Sequence, residues 1–285
     1  MTWKKKLGKG AANPVPSPKK PPLVSFVTIT FNASRLCLRL AHSMKSHIKH
    51  HHFEWVILDN GTDGTTETLK RYWERFMPKH CVLKILEHDN SGNFASMNNS
   101  AVKYASHPVI CFLNSDVELK SDIITPAVAA LESNEKIGVV GAVLRFRRWP
   151  HRLQHGGIFI HDDVTPGELS DDAISALGLR KEFRQPEKLG YAPIFKAVTA
   201  ACSFMWKRDF LGIGGFHDEF DWAFEDVDLC FRVGIWLNKL CIVHPDIRLY
   251  HVHSHSGGNR RISMNLSLLK GRYRGMIPRD YPSFR

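Results

Sequence analysis

The chain has 285 residues, 43% apolar and 24% charged, which suits one sizeable α/β domain or two small ones and excludes a wholly disordered polypeptide. No run of about 18 apolar residues occurs, and no apolar segment follows the N-terminal lysines, so neither a membrane-spanning helix nor a secretory signal is predicted. The formal charge of +11 gathers at the two ends, leaving the middle of the chain without the basic stripe of a nucleic-acid-binding module.

Residues 1–22, rich in Lys, Pro, Gly and Ala, have no periodicity and read as a disordered tail. An apolar, β-branched run over 23–30 predicts a buried strand, followed by a helix over 34–48. A second strand over 53–58 ends at Asp59-Asn60-Gly61, and a helix over 64–76 follows. The same alternation continues with a strand at 81–86, a helix at 93–105 and a strand at 109–113 that runs into Asn114-Ser115-Asp116. Further strands are predicted at 137–146, 158–160 and 247–252, an apolar stretch at 197–206, and a helix from Glu225 to about residue 237. Residues 162–190 read as a polar loop with a short helix. Strands alternating with helices predict βαβ units and a mainly parallel, Rossmann-like sheet.

In such sheets ligands bind beyond the carboxyl ends of the strands. Four polar clusters stand there in series: Thr30-Phe31-Asn32, Asp59-Asn60, Asn90-Ser91-Gly92 and Asn114-Ser115-Asp116. Together they predict one cleft. Gly92, at a helix start, lets backbone amides approach a phosphate or ribose. Asp116, just past a buried strand, is placed to hold a hard divalent cation such as Mg²⁺ or Mn²⁺, though from that tripeptide alone an Asx-turn or helix cap is the better reading.

A second acidic station brings Asp221, Glu225, Asp226 and Asp228 within eight residues, among Phe220, Trp222 and Phe224. Acids among aromatics can have a raised pKa, which suits a general base, while plain acids in a first turn also stabilise the helix dipole. Phe220 and Trp222 can stack on a sugar ring or pack in the core. His251, His253 and His255 alternate onto one face of an extended segment and can supply a metal ligand. The six scattered cysteines never form a C-x-x-C pair and read as reduced core residues of a cytoplasmic protein.

The order of these stations resembles glycosyltransferase family 2, especially its bacterial rhamnosyltransferase-like members. The matching segments are 24–32, 58–65, 90–98, 112–116, 214–220, 224–232 and His251 with Ser256, which together cover roughly residues 23–258. The resemblance implies a GT-A fold with a nucleotide-binding half over 23–118 and an acceptor and catalytic half over 119–258, followed by a basic extension over 259–285. It implies an inverting transfer of a sugar from a UDP- or dTDP-linked donor to a hydroxyl of a glycan or glycolipid, in cell-surface polysaccharide or lipopolysaccharide synthesis. Thr30, Phe31, Asn32, Asp59, Asn90, Gly92, Asn98, Asn114 and Ser115 would hold the nucleotide sugar. Asp116 and His251, with His253 as a rival, would hold Mn²⁺ or Mg²⁺; the first position of the DxD-type motif is Asn114 here. Asp226, or its neighbour Glu225, would be the base, and Trp222 and Phe220 would touch the acceptor. The basic ends are either solvated or make peripheral contact with an anionic membrane at its inner face.

Two other classes remain. A nucleotidyltransferase would want a glycine-rich basic loop after the first strand, where this chain has Thr30-Phe31-Asn32-Ala33-Ser34-Arg35. A basic nucleic-acid-binding protein would draw on the +11 charge.

Overall fold

The computed structural model describes residues 23–48, 52–87, 92–221, 223–252 and 259–280. The first half follows the alternation of the sequence: β1 (Val24–Thr30), α1 (Ser34–His47), β2 (Phe53–Asp59), α2 (Thr65–Phe76), β3 (Val82–Glu87), α3 (Phe94–Val102) and β4 (Val109–Leu113). Then come β5 (Val117–Leu119), α4 (Ile124–Ser133), β6 (Ile137–Phe146), β7 (Leu153–His155), β8 (Ile158–Ile160), β9 (Pro166–Glu168), α5 (Asp171–Leu177) and β10 (Ile194–Phe195). The chain closes with β11 (Cys202–Trp206), α6 (Lys207–Gly212), α7 (Glu225–Trp236), β12 (Leu240–His251) and α8 (Asn259–Tyr273).

The main sheet has the order β10-β12-β6-β11-β4-β1-β2-β3. Strands β4, β1, β2 and β3 are mutually parallel, and β11 runs antiparallel between β4 and β6. In β1 and β2 nearly every residue is buried, because helices cover both faces. Alternation sends Val27, Val56 and Phe112 to one core, under α3 and α7, and Phe26, Trp55 and Cys111 to the other, under α1, α2 and α4. The register pairs Thr30 with Asp59, so both strands end at one edge. The order of the sheet reverses at β1, between β2 and β4, which is where a crevice opens.

The second half departs from the sequence reading in four places. β12 runs from Leu240 rather than 247, with a register shift against β6 between His244 and Arg248, where Pro245 interrupts the alternation. Only 202–206 of the apolar stretch 197–206 is strand. The 162–190 segment holds β9 and α5 as well as short 3₁₀ turns. β5, three residues long, pairs with β12 and has no periodic signature.

The division at residue 258 also left α8 outside the domain, yet Leu269 and Tyr273 belong to the core. Asn265 donates to the carbonyls of Asp221 and Ala223, and the Ile160 amide donates to Asp280. Basic residues of this stretch meet carboxylates of the fold: Arg274 and Lys270 reach Asp163, Arg261 reaches Asp221, and Arg272 reaches Asp228 and Glu219. Their partners lie far away in sequence, so the run read as a solvated end. No helix among the described residues is long and apolar enough to cross a membrane.

Candidate active site

A cavity of about 990 Å³ opens at the crevice between β1 and β4. Phe31, Asn32 and Asn60 line one side, Asn114, Ser115, Asp116 and His251 another, and Glu225 and Asp226 a third. Two acidic stations more than a hundred residues apart in sequence therefore share one space.

The β1 side is held by a close backbone approach. Asn32 adopts φ +48°, and its Oδ1 accepts the Thr62 amide at 2.8 Å. A Cβ at Gly61 would lie 2.6 Å from the Asn32 nitrogen, so only glycine fits there. Phe31 is 59% exposed at the rim, an apolar ring turned to solvent. Gly92, at φ +119°, also lines the cavity. The helix that follows is fixed by Asn93 and Ser96, each capping the other's backbone amide.

Two expected contacts lie elsewhere. Asp59 is buried and does not line the cavity; its oxygens accept the Gly61 amide at 3.0 Å and the Thr66 hydroxyl at 2.9 Å. The carboxylate thus shapes the β2–α2 turn. Asn98 points into the protein, with its amide donating to the Phe94 carbonyl at 2.9 Å. Both corrections have one cause: a polar residue beside a strand end also serves turns and helix backbone. Phe220 is corrected as well. It is fully buried, with the Arg272 guanidinium 5.4 Å from its ring centre, and packs in the core rather than against a ligand. Asn90, Trp222 and His253 lie outside the described residues.

On the β4 side, the Asn114 amide donates to the Ala201 carbonyl, and the Val252 amide donates to the Asp116 carbonyl. These bonds bring the end of β12 beside the loop after β4. Asp116 Oδ1 and His251 Nε2 come within 3.2 Å. A carboxylate oxygen and an imidazole nitrogen converging on a cavity suit Mn²⁺ or Mg²⁺. No group of three or more His, Cys, Asp or Glu forms a cage among the described residues. Such a pair fits an ion whose remaining ligands are substrate phosphate and water.

The third side is the first turn of α7. Phe224 precedes it at φ +69°, a costly conformation for a residue with a side chain, and so turns the chain into the helix at the cavity edge. Asp226 Oδ2 accepts the Ala200 amide at 3.0 Å and Oδ1 its neighbour Val227's amide at 2.8 Å. Burial pushes its pKa up, and the two amides pull part of the way back. Glu225 is buried beside it, with Oε2 lacking a hydrogen-bond partner among the described residues. Burial first, and the Asp226 charge second, push the Glu225 carboxyl up to about 8.

Asp228, two residues on, belongs to a different assembly. It is fully buried and receives Arg232 Nε at 2.8 Å, Tyr273 Oη at 2.7 Å and Arg272 Nη1 at 3.1 Å. It ties α7 to α8 and does not reach the cavity. Sequence reasoning missed Glu168, Thr199 and Ile262, which do line it. Thr199 was hidden in an apolar stretch, Glu168 in a polar segment without periodicity and Ile262 in a basic run.

The residues match Glycosyl transferase family 2 over 25–193, more than half of the chain. The O-antigen biosynthesis protein RfbC of Myxococcus xanthus is 26% identical over 84% of this chain, which spans 18% of that protein. A validoxylamine A glucosyltransferase of Streptomyces hygroscopicus subsp. jinggangensis is 26% identical over 74% of the chain, which spans 51% of it. The chain therefore spans from about a fifth to about half of the length of these relatives. Among solved structures, GalNAc-T7 with UDP, GalNAc and Mn²⁺ superposes with a TM-score of 0.67 at 14% identity, over 84% of this chain and 45% of that one. The mannosyltransferase PcManGT of Pyrobaculum calidifontis, in complex with GDP-Man and Mn²⁺, gives 0.66 at 17% identity, over 94% and 69%. The fold is the GT-A fold, and the chain belongs to glycosyltransferase family 2.

Proposed function

We propose that this chain transfers a sugar, with inversion, from a UDP- or dTDP-linked donor to a hydroxyl of a glycan or glycolipid acceptor in surface-polysaccharide synthesis. The observation that carries this reading is the shared cavity: Asp116 with His251 on one wall, Asp226 on another, and the exposed ring of Phe31 at the rim. RfbC and the teichuronic acid glycosyltransferase TuaG of Bacillus subtilis, 35% identical over 35% of this chain, support the polysaccharide context by their names.

The base of the donor packs on Phe31 beside Asn32, and its diphosphate reaches Asn114, Ser115 and the amides near Gly92. Asp116 and His251 would hold Mn²⁺ or Mg²⁺, which would supply charge compensation for a diphosphate leaving group. Asp226, oriented by the Ala200 and Val227 amides, accepts the proton of the acceptor hydroxyl. That oxygen forms its bond to the anomeric carbon as the bond to the diphosphate oxygen breaks, which inverts the centre. Asp226 is a better candidate for the base than Glu225, because two backbone amides fix its carboxylate at the cavity while burial and the Asp226 charge raise the Glu225 pKa. Glu225 is then a hydrogen-bond donor to the sugar.

A thermal-shift screen of UDP, dTDP, GDP and their sugars, with and without Mn²⁺, tests the reading. The expected result is a rise in melting temperature with UDP or dTDP that grows with Mn²⁺ and disappears in Asp116→Ala. A chain that no nucleotide stabilises under either condition would contradict it.

A further inference from the structure

Outside the stations discussed so far, a carboxylate backed by a buried imidazole faces the same cavity. Glu168, at the end of β9, has its side chain 53% exposed and lines the space next to Thr199 and Asp226. Its Oε1 lies 3.0 Å from Nδ1 of His155, whose ring is 1% exposed. The Thr199 amide approaches the other ring nitrogen, Nε2, at 3.4 Å. Nε2 thus accepts, which leaves Nδ1 to carry a proton toward Glu168. The next amide, of Ala200, is the one that holds Asp226 Oδ2. One short backbone segment therefore orients both the imidazole behind Glu168 and the carboxylate of Asp226.

This arrangement differs from a surface carboxylate in two ways. The strand that carries it is locked: β9 pairs with β8, and a Cβ on Gly167 would meet the Phe159 ring at 2.6 Å. A different polar group in the same cavity, the buried Oε2 of Glu225, has no hydrogen-bond partner among the described residues. A buried polar atom without a partner carries a cost that a ligand hydroxyl removes. Carboxylates presented at fixed positions beside apolar Ile158 and Pro166 match the chemistry of a pyranose, which offers hydroxyl donors on its edge and C–H groups on its face.

We propose that Glu168, positioned by His155, accepts hydrogen bonds from hydroxyls of a sugar ring bound beside Asp226, and so selects which sugar reacts. The inference rests on the glycosyl-transfer reading of the cavity. The ring has two possible sources, the donor sugar and the acceptor sugar, and both present the same hydroxyl chemistry. His155 is a positioning residue: it touches Glu168, not the ring.

The test compares the full chain with Glu168→Gln and His155→Asn. Glu168→Gln keeps shape and removes charge at a half-exposed site, and His155→Asn keeps a donor near the Nδ1 position. Binding of UDP, dTDP and their glucose, N-acetylglucosamine and rhamnose conjugates is measured by calorimetry. Binding of the methyl glycosides of the same sugars to the enzyme–nucleoside diphosphate complex is measured by saturation-transfer NMR. If the donor sugar is the source, Glu168→Gln weakens nucleotide-sugar binding on the order of 10- to 100-fold and leaves the bare nucleoside diphosphate unchanged. If the acceptor is the source, donor binding is unchanged and glycoside binding falls by a similar factor. His155→Asn moves the same quantity in the same direction by less. Glu168→Gln matching the wild type in both arms overturns the proposal, and so does a wild type that binds no glycoside while its donor affinities are untouched by the substitution. A wild type that binds no nucleotide instead defeats the underlying glycosyl-transfer reading.

Discussion

The first two turns of α7 carry two aspartates, Asp226 and Asp228, two residues apart and opposite in surroundings. Asp226 faces the cavity and, among the described residues, accepts hydrogen bonds from backbone amides alone, so its carboxylate is held in place while still open to a ligand. Asp228 is enclosed by Arg232, Arg272 and Tyr273, which use its oxygens fully. The difference teaches that burial and bonding act together: the fully buried Asp228 is consumed by cations and a hydroxyl, while the less buried Asp226 keeps an oxygen edge toward the cavity. Sequence alone presents both as acids in the same helical turn.

Substitution of the two by asparagine separates them most sharply. Asp226→Asn is expected to lower sugar transfer by about 10²- to 10⁴-fold, the usual contribution of a general base, with unchanged donor affinity and melting temperature. Turnover close to wild type would remove Asp226 from the role. Asp228→Asn should do the reverse. It leaves buried Arg232 without its counter-charge, at a cost of about 3–5 kcal/mol in urea unfolding, while the folded fraction still binds nucleotide. Unfolding midpoints that match the wild type would show that the α7–α8 clamp contributes nothing.

Glu225 lies between these extremes, and pH sharpens its place. Its folded pKa is raised from 4.5 to about 8, so between those values the folded carboxyl keeps a proton that the unfolded chain releases. The unfolded state then binds fewer protons, and stability falls as pH rises through that window. Glu225→Gln removes this term. The melting temperature of the variant should gain on that of the wild type from pH 5 to pH 8, and parallel curves would show that Glu225 is not held protonated. The smallest effect is expected at the rim. Phe31→Ala should weaken nucleotide binding by about 10-fold, the scale of one stacked base, without altering stability. Phe220→Ala, at the core position once read as a sugar platform, should instead destabilise by about 3–5 kcal/mol.

How far the sequence foretold the molecule follows the same division. The β1–β4 half was legible because its central strands are apolar runs and its helices are periodic; β4 begins and ends where the pattern places it, and in the other half so do β6 and β8. The acidic stations Asp116 and Asp226 were legible as departures from that pattern at element ends. Asp59, Asn98 and Phe220 were misplaced because residue type and position do not reveal a side chain's partner. Thr66, the Phe94 carbonyl and Arg272 took them up instead. Glu168 and His155 left no signal at all, since their relation exists only once β7 and β9 are brought together. The C-terminal helix was concealed by its arginines, whose carboxylate partners come from other parts of the chain.

The most direct measurement is a crystal structure of the chain with UDP or dTDP and Mn²⁺. The ion should be bound by Asp116 and His251 and bridge to the diphosphate, the base should lie on Phe31, and Asp226 should stand across the vacant sugar position. A nucleotide bound away from this cavity, or an ion that touches neither Asp116 nor His251, would contradict the assignment.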